Sequence, residues 1–303
     1  MNYSPLSYSR INSYAGSYNP SPVKGYNNKT FAFWERSLFQ RACSVLEFTL
    51  PEEWNGSVKD FFLWCLFKYG FVAVSENAKF GKFFQPCTLS GYDFYYQPTY
   101  AVISNPIYNE TLKIDTDCGI LKLTPDFIGC WDIISYYAEK LSTLDNAINM
   151  SLINNKFAFF LGARNKQAGE ALKKMLDRIN KGEPAVIYDM KLLNDPTDEE
   201  GPFQEWKRDN LRDSYLTTDQ LQDFQTLLNN FDCEIGIPTI PYQKKERMVT
   251  SEANSRIIDS MSRATVWLET VNSSAEKIAE LYPDILIKAK LRFKTDEGGA
   301  NEQ

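Results

Sequence analysis

The chain has 303 residues, 43% of them hydrophobic, which is enough for one large or two modest domains with a substantial core. A formal charge of −6 argues against clamping nucleic acid by bulk electrostatics, so any contact with DNA must be local or weak. Histidine is absent, which excludes Ser-His-Asp and Cys-His catalysis and His-ligated metals. The six scattered cysteines form no C-x-x-C pair and read as reduced, mostly buried thiols of a cytoplasmic protein, with no metal site and no cofactor expected.

Residues 1–30 are rich in Tyr, Ser, Asn, Pro and Gly and are expected to be a disordered tail, mildly basic through Arg10, Lys24 and Lys29. No signal-peptide pattern precedes them, and the apolar stretch Phe61–Val74 is too short to span a bilayer, so a soluble protein with no membrane partner is expected. An aromatic helix is predicted from Phe31 to about Leu50, with Phe31, Trp34, Leu38 and Cys43 near one face and Leu46 extending it. The stretch from Phe61 reads as a buried helix ending near Gly70, followed by a strand. Between Gly70 and Leu123 the signals are β-rich, as in Phe94–Tyr96, Tyr100–Ile103 and Gly119–Leu123.

Thr124-Pro125-Asp126 reads as a helix start: a hydroxyl cap, proline in the first turn and a carboxylate against the positive helix end. From there Phe127, Trp131, Ile134, Ala138, Leu141, Leu144, Ile148 and Leu152 predict one long amphipathic helix to about Asn154. A β-α-β insert follows, with Phe157–Leu161 and Ala185–Tyr188 as strands and a helix from Gln167 to Asn180 whose Leu172, Leu176 and Ile179 face inward. A second long helix opens at Thr217, with Gln220 in a capping-box position, and stops at Gly236 and Pro238. Its apolar face is Leu221, Phe224, Leu228 and Phe231; its polar face is Gln222, Asp223, Gln225, Asn229 and Asn230.

Tyr242-Gln-Lys-Lys-Glu-Arg-Met-Val-Thr-Ser-Glu-Ala-Asn-Ser255 is charge-dense without apolar periodicity and is predicted to be a long exposed loop. Met261–Leu281 then reads as a helix, and Ile285 to Phe293 alternates apolar and polar residues as a half-buried strand would. By element order the fold class is α+β and helix-rich.

The run Lys244-Lys-Glu-Arg-Met-Val-Thr250, followed by Glu252, Asn254 and Ser255, resembles the channel loop of the upper collar, or portal, protein of phi-twenty-nine-like short-tailed phages. Weaker likeness lies at Lys68–Val72, Leu89–Gly91 and Ala275–Tyr282, so the resemblance spans about residues 31 to 293. It implies a portal/connector architecture with long stem helices, a small β-α-β clip and an α/β wing. Residues 31–123 would be the first part of the wing, 124–156 a stem helix, 157–216 the clip, 217–237 the second stem helix, 238–256 the channel loop, 257–293 the rest of the wing and 294–303 a tail.

The same resemblance implies a ring, dodecameric in that family, at the capsid vertex, through which double-stranded DNA is packaged and ejected and by which head joins tail. The chain would act in the virion, and in the host cytoplasm during assembly. Lys244, Lys245 and Arg247 would touch DNA, with Gln222, Asp223, Asn229 and Asn230 lining the channel. Implied partners are the packaging ATPase, the major capsid protein and lower collar or tail proteins. A packaging RNA stays open, because the family's arm is markedly basic and residues 1–30 carry only three basic groups.

No G-x-x-x-x-G-K-[ST] loop is present, and paired acids such as Asp115 and Asp117 read as solvated loop charges, so no enzyme is expected. Competing readings are another virion ring component, such as a lower collar or head-completion protein, and an oligomeric adaptor without DNA.

Overall fold

The computed structural model describes residues 28–154, 159–163, 203–207, 217–239 and 250–293, with Tyr8, Ile11 and isolated positions between 166 and 177. They fall into two compact units, residues 1–146 with 222–303, and residues 147–221.

In the larger unit, α1 (Asn28–Cys43) buries Leu38 and Ala42 and half-buries Phe31, Trp34 and Phe39, the spacing of one helical face. The predicted extension through Leu46 does not form. Residues Leu46–Thr49 are instead a strand, β1, with Leu46 and Phe48 buried and Glu47 and Thr49 exposed. It pairs antiparallel with β10 (Lys288–Leu291), and Glu47 lies opposite Lys290 with a 3.4 Å ion pair across the ladder. Alternation around β10 holds as expected, with Ile285, Ile287 and Ala289 buried, though the ladder is shorter than Ile285–Phe293.

A 3-10 turn at Glu52–Trp54 drops Trp54 into the core, where its indole N–H donates to the Lys82 carbonyl at 3.1 Å. The next helix, α2 (Ser57–Tyr69), ends as predicted at Gly70, whose φ of 88° is the left-handed conformation suited to glycine. Next, β2 (Phe71–Asn77) is the centre of a three-stranded antiparallel sheet between β3 (Gly81–Gln85) and β7 (Gly119–Lys122). A second sheet holds β4 (Thr88–Ser90), β5 (Tyr100–Ser104) and β6 (Asn109–Lys113). Phe94–Tyr96, expected to be β-structured, is the turn between β4 and β5. Asp93 Oδ1 accepts the amides of Tyr95 at 2.8 Å and Gln97 at 2.7 Å, a local alternative that outcompetes strand pairing.

The helix expected from Thr124 begins seven residues later: α3 is Trp131–Asn154, about 36 Å long at 1.5 Å per residue. Its delayed start has a steric cause. Gly129 passes so close to Gly70 that a Cβ on Gly70 would lie 2.4 Å from the Gly129 nitrogen, and one on Gly129 would lie 2.8 Å from the Phe67 carbonyl. Residues Thr124–Cys130 therefore cross the end of α2 as an irregular segment, and Thr124 Oγ1 accepts the Gly129 amide at 3.2 Å within it.

In the smaller unit, β8 (Phe159–Ala163) pairs antiparallel with β9 (Phe203–Lys207), a strand the sequence reading omits. The predicted strand Ala185–Tyr188 and the inward residues Leu172, Leu176 and Ile179 lie outside the described residues.

Helix α4 (Thr217–Ile235) starts where predicted, but the reciprocal capping contact is absent: Gln220 Oε1 has no hydrogen-bond partner among the described residues. Helix α5 (Thr250–Leu281) begins eleven residues before the predicted Met261, so Thr250–Ser255 is helical rather than loop. It buries Ala264, Trp267, Val271, Ala275 and Ile278. Asn272 binds the edge of β10, donating to the Ala289 carbonyl at 3.1 Å and accepting its amide at 2.9 Å. One apolar core thus joins α1, α2, both flanks of the first sheet, α3, α4 and α5.

The expected tail also needs correction at two points. Tyr8 and Ile11 are buried at 9% and 4% exposure, in a small cluster with Phe71, Leu89 and Phe127.

Candidate nucleic-acid interface

The basic trio Lys244, Lys245 and Arg247 lies outside the described residues, between Thr239 and Thr250. The structure shows how the start of this connection is held. At the end of α4 the Gly236 amide donates to the Cys233 carbonyl at 3.3 Å and the Ile237 amide to the Asp232 carbonyl at 2.8 Å. That pair is a Schellman motif with Gly236 in the left-handed position, φ 86°. Past the turn, Cys233 Sγ and Thr239 Oγ1 are 3.2 Å apart.

Two ion pairs hold the same turn from neighbouring helices. Arg41 of α1 forks onto Asp232, Nε to Oδ1 at 2.8 Å and Nη2 to Oδ2 at 2.5 Å. The Asp232 side chain is 4% exposed, and its burial raises the carboxyl pKa against the opposing pull of Arg41. Arg263 of α5 pairs with Glu234, whose hydrogen bond raises the guanidinium pKa further. Gly236 itself packs on α5: a Cβ there would sit 2.4 Å from the Ala264 Cβ and 2.9 Å from its backbone nitrogen. The sequence reading misses these anchors. The available signal is an acid, Asp232, beside inward-facing Phe231.

The four proposed lining residues of α4 are described. Gln222, Asp223 and Asn230 are exposed and Asn229 is half-buried, with Asn229 Oδ1 accepting the Gln225 Nε2 amide at 3.2 Å. At 100° per residue they share one side of α4 with Thr226, opposite the core-packed Phe224, Leu227, Leu228 and Phe231. This face bears three amides, one hydroxyl and one carboxylate, with no cation among those positions. Among the described residues no cluster of acids and cysteines is arranged to hold a metal, and no helix is long and apolar enough to cross a membrane.

The family model described as Phage Connector (GP10) matches residues 21–295. This chain belongs to the phage connector family. It is therefore a head-tail connector protein. The connector chain also bears a loose likeness to solved assemblies. In the structure of the portal and tail of native bacteriophage P68, the matching chain is 14% identical, with 89% of each chain covered and a TM-score of 0.44. A chain from the neck of a native GTA particle, computed with C12 symmetry, is 11% identical over 93% of this chain and 88% of its own, with a TM-score of 0.40.

Proposed function

We propose that this connector forms a closed ring of twelve copies at a capsid vertex, through which double-stranded DNA is packaged and later ejected. The observation that carries the reading is the anchored base of the basic connection. A Schellman turn, two ion pairs and the approach of Gly236 to Ala264 fix its start, while Lys244, Lys245 and Arg247 lie within the ten residues that follow Thr239. Covalent geometry limits the reach of those ten residues to about 35 Å, enough to follow a phosphate backbone from a fixed base.

Sliding requires weak, distributed contacts, because affinity climbs steeply with each phosphate neutralised. Three cations offset by Glu246 in each copy, facing DNA beside the amide-rich side of α4, suit a wall that retains DNA without gripping it. In this reading the connector contributes geometry and electrostatics rather than bond chemistry, and a separate packaging ATPase docks on residues 157–216. Lower collar or tail proteins replace the ATPase later, and the wing, residues 31–123 and 257–293, meets the major capsid protein.

The test is Lys244→Ala with Lys245→Ala in assembled particles. Filled heads bearing the variant are expected to leak packaged DNA, and the loss should grow at lower salt where phosphate repulsion within the head is strongest. Retention equal to wild type at every salt concentration overturns the role assigned to the loop.

A further inference from the structure

Tyr8 makes contacts that a free tail does not make. Its ring lies flat on Tyr92, centroids 4.1 Å apart and planes 9° apart, and its hydroxyl donates to the Gly91 carbonyl at 2.6 Å. The phenol is protonated at neutral pH, and burial raises its pKa further. Ile11 joins Phe71, Leu89 and Phe127 in an apolar cluster distinct from the main core. The walls come from regular or tightly packed segments: Phe71 opens β2, Leu89 lies in β4, and Phe127 meets Phe71 edge-on at 5.8 Å from the irregular segment before α3.

Two features point to a site for a short peptide rather than incidental packing. Tyr8 and Ile11 are both helical and three residues apart, the spacing that places two side chains on one side of a single turn. Residues 12–27 separate this anchor from α1, a length of chain that reaches about 55 Å, so contacts in the groove rather than tethering decide where Tyr8 sits. The chemistry of the groove is specific: an aromatic face to stack on, a carbonyl that needs a donor, and an apolar floor.

We propose that the groove walled by Phe71, Leu89, Gly91, Tyr92 and Phe127 is a docking site for a tyrosine-x-x-aliphatic segment, and that its occupant is the chain's own N-terminal segment. The occupant forms one wall of the aromatic turn. Tyr92 lies between Tyr8 and Tyr96, with Tyr96 edge-on at 6.0 Å, while Phe94 and Tyr95 stay 88% and 75% exposed beyond them. This dock does not depend on ring formation or on the DNA-retention role.

A fluorescent peptide of residues 1–20 tests it against the full-length chain carrying Tyr8→Ala and Ile11→Ala. The peptide is expected to bind this vacated groove at least about tenfold more tightly than the wild-type chain, whose groove is filled. Peptide with Tyr8→Phe should bind roughly fivefold to tenfold more weakly for loss of one hydrogen bond, and peptide with Tyr8→Ala not measurably. Equal binding to both chains, or undiminished binding of the Tyr8→Ala peptide, overturns the assignment. Nitration of the unmodified chain is an independent measure that needs no variant to fold: Tyr95 should react well before Tyr8, and Tyr8 reacting as fast as Tyr95 overturns the dock.

Discussion

Replacing Gly236 by Ala tests the base of the basic connection. A residue with a Cβ held at φ 86° costs about 1 kcal/mol in backbone conformation alone. The added methyl would also sit 2.4 Å from the Ala264 Cβ and 2.9 Å from its backbone nitrogen, overpacking worth about 1–3 kcal/mol more. The sum, about 2–4 kcal/mol, corresponds to a fall in Tm of roughly 5 to 15 °C for a unit of this size. Ala264→Gly removes the nearer of the two atoms at a helix-propensity cost of about 1 kcal/mol. The double variant should therefore lose about 1–2 kcal/mol less than the two single losses added together, a coupling measurable by urea unfolding followed by circular dichroism. A Gly236→Ala chain within about 0.5 kcal/mol of wild type, or strictly additive losses, refutes the close approach of α4 to α5.

Arg41→Ala leaves the Asp232 carboxylate buried without its fork. Because Arg41 is 44% exposed, the loss at pH 7 is set at about 2 kcal/mol, below the range for a fully buried pair. The folded Asp232 pKa lies above its ordinary 3.8, so its contribution is fully present below 3.8 and is lost as pH rises through the folded value. Removing Arg41 raises that value further, so urea midpoints of variant and wild type should converge as pH falls toward about 4; a gap independent of pH contradicts this. Burial also pushes the thiols of Cys43, Cys65 and Cys118 up to about 12. At pH 8 these three should alkylate with iodoacetamide at least about a hundredfold more slowly in the native chain than in urea, and rapid native labelling at Cys43 would contradict its packing.

Elements whose cause is local were legible in the sequence. Gly70 ends α2 and Gly236 ends α4 because a left-handed residue is needed after each last turn, and both stops are read directly. The false start at Thr124-Pro125-Asp126 shows the reverse, a strong local cap overridden by the passage of Gly129 over Gly70. Leu46 fits helical spacing from Leu38 and Ala42 equally well, and only its distant partner Leu291 decides for a strand. Thr250–Ser255 is helical without an apolar stripe, which leaves periodicity nothing to detect. At the candidate site the polar side of α4 was readable, with Gln222, Asp223 and Asn230 exposed, whereas Arg41 and Asp232, 191 residues apart, meet only through the fold.

The ladder joining Leu46–Thr49 to Lys288–Leu291 sets an order of events during synthesis. Until residue 291 has cleared the ribosome, the first strand has no mate and Ala289 is missing from the interior. A subunit truncated before Lys288 would expose an open strand edge along Leu46–Thr49 and lack the buried Ala289, so the polypeptide must extend through this strand before it is fit to assemble.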